Sequence, residues 1–136
     1  MRETLRTLQF CGRVDTECVV LWISTLDRPK AVAVTLHPEH SSGPRGYEIA
    51  PNWMQRLWVD LSDEGRSVCA QVHSHPAAAF HSRTDDEFLA VHVADFVSIV
   101  IPRFARPPIR LDEIHASVLK VTGWRRSTFS KEVFVV

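Results

Sequence analysis

Apolar residues recur along this chain with two periods, and the switches between them divide it into elements. Leu5 and Leu8, with Gln9, repeat at helical spacing after Arg2 and Glu3, and Gly12 interrupts them, which predicts a short helix over 3–10. Residues 17–25 (ECVVLWIST) and 30–37 (KAVAVTLH) are β-branched and apolar, with the turn-forming Asp27-Arg28-Pro29 between them, so a hairpin is expected. Residues 37–49 are rich in Pro, Gly, Ser and charge and predict an exposed loop. Pro51 suits a first helical turn. Trp53, Met54, Leu57, Val59 and Leu61 then supply an apolar face, and Gly65 a stop, for a second helix over 51–64.

Further along, 67–73 (SVCAQVH) and 97–102 (VSIVIP) read as buried strands. A third helix between them is announced by Thr84-Asp85-Asp86-Glu87, which fits a capping box ahead of Phe88, Leu89, Val91 and Val93. Strands near 115–122 and 132–136 close the list. Strands interleaved with three helices imply an α/β domain with a mixed central sheet covered on both faces, a single domain over 1–136.

Composition adds limits. A hydrophobic content of 45% in 136 residues is enough for one continuous core. Sixteen basic side chains balance sixteen acidic ones, so no long-range field favours nucleic acid or an anionic membrane. The charged start lacks the apolar stretch of a secretory signal, and the longest apolar run, residues 18–23, is too short for a bilayer, so a cytoplasmic protein is expected. Cys11, Cys18 and Cys69 are odd in number and without CxxC spacing. That argues against a disulfide framework or a cysteine zinc knuckle and predicts buried free thiols.

The candidate chemistry begins at His73 and His75. They lie two apart at a strand end, so both imidazoles project from one face if the strand runs through them. Catalytic zinc takes three protein ligands and keeps a position open for water. Asp85, at the start of the third helix, can supply the oxygen ligand, with Asp86 as its neighbouring competitor. The helix dipole alone would account for acidity there, but not for the paired histidines. His37 and His40 also have metal-like spacing, yet a Pro-Ser-Gly loop has no regular geometry to aim them, so they read as bystanders. His81 reads as facing solvent or substrate.

His73-Ser74-His75-Pro76 followed by Ser82-Arg83-Thr84-Asp85 resembles the signature of JAMM (MPN-plus) zinc metalloproteases. That pattern is an upstream Glu, His-(Ser/Thr)-His, seven residues, Ser, two residues and Asp. Here only six residues separate His75 from Ser82. Keeping the Ser-x-x-Asp unit selects Asp85, and keeping the overall spacing selects Asp86. Asp85 is preferred, because a deletion among residues 76–81 merely shortens a loop. The resemblance implies His73, His75 and Asp85 as zinc ligands, and Ser82 steadying the oxyanion. It implies Glu17, directly before the CVVLW strand, as the acid-base residue in preference to Glu3. It also implies a three-layer α/β/α sandwich like that of cytidine deaminases, with substrate-contacting loops at 38–48 and 103–112 carrying Arg45, Arg103 and Arg106.

The activity so implied is zinc-dependent cleavage of an isopeptide bond between a ubiquitin-like protein and a lysine amine. Trimming the C-terminus of a ubiquitin-like or sulfur-carrier precursor is the close alternative. Bacterial proteins of this kind act beside ubiquitin-activating and conjugating homologues, which are the partners expected. Zinc deamination of a base is disfavoured, because H-x-E followed by P-C-x-x-C is missing. A non-catalytic scaffold is disfavoured because the His-His-Ser-Asp set is complete.

Overall fold

The computed structural model describes residues 1–44, 46–83, 85 and 90–128. Helix α1 (Arg2–Gly12) leads into strand β1 (Val19–Thr25) and then β2 (Arg28–Leu36). The 37–49 segment is not the open loop its composition suggested, for it folds into a small hairpin of β3 (His40–Gly43) and β4 (Gly46–Ile49). The reason is burial: Tyr47 and Ile49 alternate with exposed Glu48 and join the core, which overrides the turn-rich composition. Helix α2 (Pro51–Glu64) has Pro in its first turn and ends at Gly65, whose φ of 63° is the left-handed C-terminal stop that glycine adopts without a Cβ penalty.

Strands β5 (Arg66–Ser74), β6 (Val97–Ile101), β7 (His115–Lys120) and β8 (Gly123–Thr128) complete a six-stranded sheet of order β2-β1-β5-β6-β7-β8. Among the described residues only β5 and β6 pair parallel; the other neighbours are antiparallel, so the sheet is mixed, as expected. The strand expected near 132–136 and residues 84 and 86–89 of the expected third helix lie outside the described residues, while 90–93, where Val91 and Val93 were expected to continue it, are not helical.

Alternation along β1 assigns the two faces. Val20 and Trp22 pack with Leu8 of α1, with Ala70 and Val72, and with Ile99 and Ile101. Val19, Leu21 and Ile23 pack the opposite way, with Tyr47 and Ile49 of the hairpin and Leu57 and Leu61 of α2. The result is three layers, α/β/α. A buried hydrogen bond from Trp22 Nε1 to Thr4 Oγ1 (2.9 Å) ties α1 to the sheet, satisfying two polar groups that burial would otherwise penalise. Gly12 does more than end α1. A Cβ there would come within 2.6 Å of Phe104 Cβ, so glycine lets the helix end approach the 103–105 turn.

Candidate metal centre

Side chains alternate across β5, so Gln71 and His73 share a face, and His75 follows directly beyond the strand end at Ser74. This end lies beside the parallel neighbour β6, with His73 level with Val100. Backbone bonds fix the chain as it leaves the sheet: His75 N–H donates to Ile101 C=O (2.9 Å) and Phe104 N–H to His75 C=O (2.8 Å). Asp85 is delivered from the other side by a reciprocal pair with Ser82. Ser82 N–H donates to Asp85 Oδ2 (2.6 Å), and Asp85 N–H donates to Ser82 Oγ (3.1 Å). This is a capping arrangement two residues earlier than the box expected from sequence, whose ends, Thr84 and Glu87, lie outside the described residues.

His73 Nε2 stands 3.0 Å from Asp85 Oδ1 and His75 Nε2 stands 3.5 Å from Asp85 Oδ2. All three residues are buried, and one ligand atom from each lies within 4.8 Å of the others. His73 is wholly enclosed; its Nε2 faces the Asp85 carboxylate without well-aligned hydrogen-bond geometry, and its Nδ1 makes no hydrogen bond. A desolvated, unpartnered polar atom costs about 1–3 kcal/mol. A cation held jointly by the two imidazoles and the carboxylate would give one His73 nitrogen a strong partner. Two nitrogens and one oxygen are a donor set that zinc accepts in open catalytic sites. The residues therefore fit the metal. Asp86, the alternative ligand, lies outside the described residues.

Glu17 reaches the same place from the segment leading into β1. Cys18 N–H donates to Ser74 Oγ (3.1 Å) and Ser74 N–H to Cys18 C=O (3.1 Å), while Glu17 N–H donates to Gly43 C=O (2.9 Å). The serine between the two histidines thus locks the Glu17–Cys18 segment to the ligand strand. Glu17 is 3% exposed, whereas Glu3 lies on the outside of α1. Burial raises the Glu17 carboxyl to about 7, against the opposing pull of His75 and with a smaller push from Asp85. Asp85 moves the other way. Burial would raise it, but its contacts with His73 and His75 outweigh this and hold it far below the usual carboxylate range. Burial lowers His73 despite Asp85, and His75 is raised because Asp85 and Glu17 outweigh its burial. Two neighbouring carboxyls pushed apart in this way have distinct chemical aptitudes: Asp85 stays an anion, and Glu17 can gain or lose a proton near neutrality.

The family of prokaryotic homologs of the JAB domain matches residues 11–117 of the chain. A probable metalloprotease, y4jG, of Sinorhizobium fredii is 32% identical over 114 residues, covering 80% of this chain and 70% of that protein. The solution structure of protein DSY2949 from Desulfitobacterium hafniense superposes with a TM-score of 0.68 at 16% identity, covering 94% of this chain and 85% of that one, a likeness of fold. The chain belongs to the prokaryotic JAB-domain family of JAMM-type metalloproteases. It is accordingly a metal-dependent hydrolase by family, and His73, His75 and Asp85 are the residues that could hold the metal.

Around this JAB-domain centre stand residues that motif reading did not single out. Gln71 is fully buried, bonds the Tyr47 hydroxyl, and accepts Ala90 N–H through Oε1 (3.0 Å), tying hairpin, ligand strand and the segment beyond Asp85 together. The Tyr47 ring lies 5.3 Å from that of His73, and Phe80, largely exposed, sets its edge on His75 at 4.8 Å. His115 is lowered mainly by burial and then by Arg126, and it also feels His81, Asp85 and His73, which places it at the rim. Strand parity is the signal that could have marked Gln71, two before His73; Tyr47 and His115 carry no comparable sequence signal.

His81 stacks against Trp124 at 4.3 Å and is not among the ligands. Of the arginines expected to grip substrate, Arg103 pairs with Glu113 (2.6 Å) and Arg106 with Asp15 (2.5 Å), while Arg45 lies outside the described residues. The cysteine expectation needs correction. Cys11 and Cys18 are joined as a disulfide, and only Cys69 of the three is free. An odd count hid the pair, but the chain turns back between α1 and β1 and brings their Cα atoms to 5.8 Å.

Proposed function

We propose that the protein is a zinc-dependent isopeptidase that releases a ubiquitin-like protein from lysine-linked targets, with Glu17 as its acid-base residue. The observation that carries this reading is the convergence of a buried, near-neutral Glu17 on the His73–His75–Asp85 cluster. Zinc bound there would supply Lewis-acid chemistry, making a water nucleophilic near neutral pH and polarising a carbonyl. Glu17, within electrostatic reach of His75 and Asp85, takes a proton from the attacking water and returns it to the departing amine. Asp85 remains anionic throughout, because its contacts with His73 and His75 hold it so. Ser82 accepts Asp85 N–H through its oxygen, which leaves its hydroxyl hydrogen available to the oxyanion of the substrate.

The exposed Phe80 against His75 gives the site an apolar lip, suited to an extended C-terminal tail with small residues at the cut. With Arg103 and Arg106 engaged locally, recognition of a folded body rests less on those arginines than sequence suggested. Ubiquitin-activating and conjugating homologues are the partners such an enzyme would work with, in a cytoplasmic setting. Among the described residues no helix is long and apolar enough to cross a membrane. The test compares three substrates: a ubiquitin-like protein on a lysine amine, the same protein with a linear C-terminal extension, and denatured casein. Preference for the lysine-linked form is expected. Preference for the linear extension would assign precursor trimming instead, and equal degradation of casein would reject both.

A further inference from the structure

We propose that Cys11, Cys18, His37 and His40 form a second metal site, a Cys2His2 zinc centre in the reduced protein. Their ligand atoms all lie within 4.8 Å of one another, although they come from three separate stretches of chain: the end of α1, the residue just before β1, and the segment from the end of β2 to the first residue of β3. His37 Nε2 faces both sulfurs, 3.4 Å from Cys18 Sγ and 3.9 Å from Cys11 Sγ. Zinc bonds of about 2.0–2.3 Å in tetrahedral geometry separate neighbouring ligands by about 3.3–3.8 Å, so these spacings suit a shared ion. The His40 ring lies 5.0 Å from that of His37, and its Nδ1 is 2.8 Å from Pro38 C=O. A carbonyl only accepts, so Nδ1 carries the proton and Nε2 keeps its lone pair. Metal-binding histidines commonly have their outer nitrogen fixed in this way.

The disulfide between Cys11 and Cys18 does not account for two imidazoles converging on the sulfurs, because a disulfide offers them no strong partner. A phosphine reductant and one water convert it to two thiols and a phosphine oxide. Zinc then binds both thiolates with release of two protons. The occupied centre would clamp the end of α1, the residue next to Glu17, and the hairpin whose Gly43 accepts Glu17 N–H. It is a positioning device, with four protein ligands and no open place for water.

The full chain, purified without chelators in phosphine, is analysed for metal and then exchanged with cobalt(II). Two zinc ions per chain are expected, falling to one in Cys18→Ser, in His40→Ala and in Asp85→Ala. A thiolate-to-cobalt charge-transfer band is expected in the wild type and in Asp85→Ala, and absent in Cys18→Ser. His40→Cys, which keeps a ligand, retains both ions and guards against reading a folding defect as ligand loss. One ion per reduced chain that Asp85→Ala removes, no thiolate band, or a Cys11–Cys18 bond that persists in phosphine would each overturn the proposal. None of these readouts depends on peptidase activity, so they stand or fall apart from the proposed reaction.

Discussion

Glu17 and Cys18 are consecutive, yet they serve opposite faces of the sheet. Cys18 joins Val20 and Trp22 beneath α1, in company with Cys11 and His37. Glu17 belongs to the face of Tyr47 and His73, where Asp85 is brought in by Ser82. The two clusters differ in what encloses them. Around His73 every candidate ligand is buried, so charge is expensive and proton affinities spread apart; around Cys18 the cluster is open on one side, with His37 exposed. Burial tunes one set of polar groups for chemistry, while convergence at the rim suits the other to holding elements together.

Ligand removal is the sharpest way to break this contrast. Asp85→Ala takes the anion from between His73 and His75, so cleavage of any substrate should fall below detection, with the metal of the buried site gone by elemental analysis. Glu17→Gln should lower kcat by about 10²- to 10⁴-fold while metal content stays unchanged, because a proton carrier is lost and a ligand is not. Normal turnover in Glu17→Gln, with loss of activity in Glu3→Gln, would assign the role to Glu3 instead.

These two residues also show what the sequence could and could not disclose. The grouping of His73, His75 and Asp85 was legible because candidate ligands are restricted in residue type and spacing together, β1, β5 and β6 because of their apolar, β-branched runs, and α2 because of its helical periodicity. The hairpin at 40–49 was not legible: its strands are four residues each and rich in Ser, Gly and Glu, so its stability comes from docking Tyr47 and Ile49 rather than from local preference. The cysteine–histidine cluster was hidden for a related reason. His37 and His40 have a metal-like spacing, but Cys11 and Cys18 have none, and tertiary structure alone joins the four.

A smaller effect tests the link between the faces. Ser74 is wholly buried, and its hydroxyl accepts the Cys18 N–H. Ser74→Ala leaves that donor without a partner, which should cost about 1–3 kcal/mol in urea unfolding. The Glu17 side chain should be displaced with it, lowering kcat by less than Glu17→Gln does. Ser74→Thr restores the hydroxyl and is expected to recover most of both. Full activity in Ser74→Ala would show that Glu17 is positioned by the Gly43 contact alone.

The smallest predicted effect concerns stability against pH in the metal-free protein, where the two carboxyls have opposite signs. Glu17 has a folded-state pKa raised from 4.5 to about 7, so the folded protein binds more protons than the unfolded chain between those values. Stability attributable to Glu17 is therefore intact below about pH 4.5, declines as pH rises through 7, and is flat above it. Asp85 is depressed, so its contribution is present above the unfolded value of 3.8 and is lost as pH falls below it. Urea unfolding of chelator-treated protein from pH 2 to pH 8 separates them. Glu17→Gln should match the wild type near pH 4 and exceed it by roughly 1–3 kcal/mol at pH 8, since one pKa unit corresponds to about 1.4 kcal/mol and residual solvent reduces the full shift. Asp85→Asn should be less stable than the wild type at pH 8, with the gap narrowing in acid. A Glu17→Gln curve parallel to the wild type at every pH would mean that Glu17 titrates as an ordinary surface carboxylate. The contrast between its buried face and the open rim at Cys18 would then lose its chemical basis.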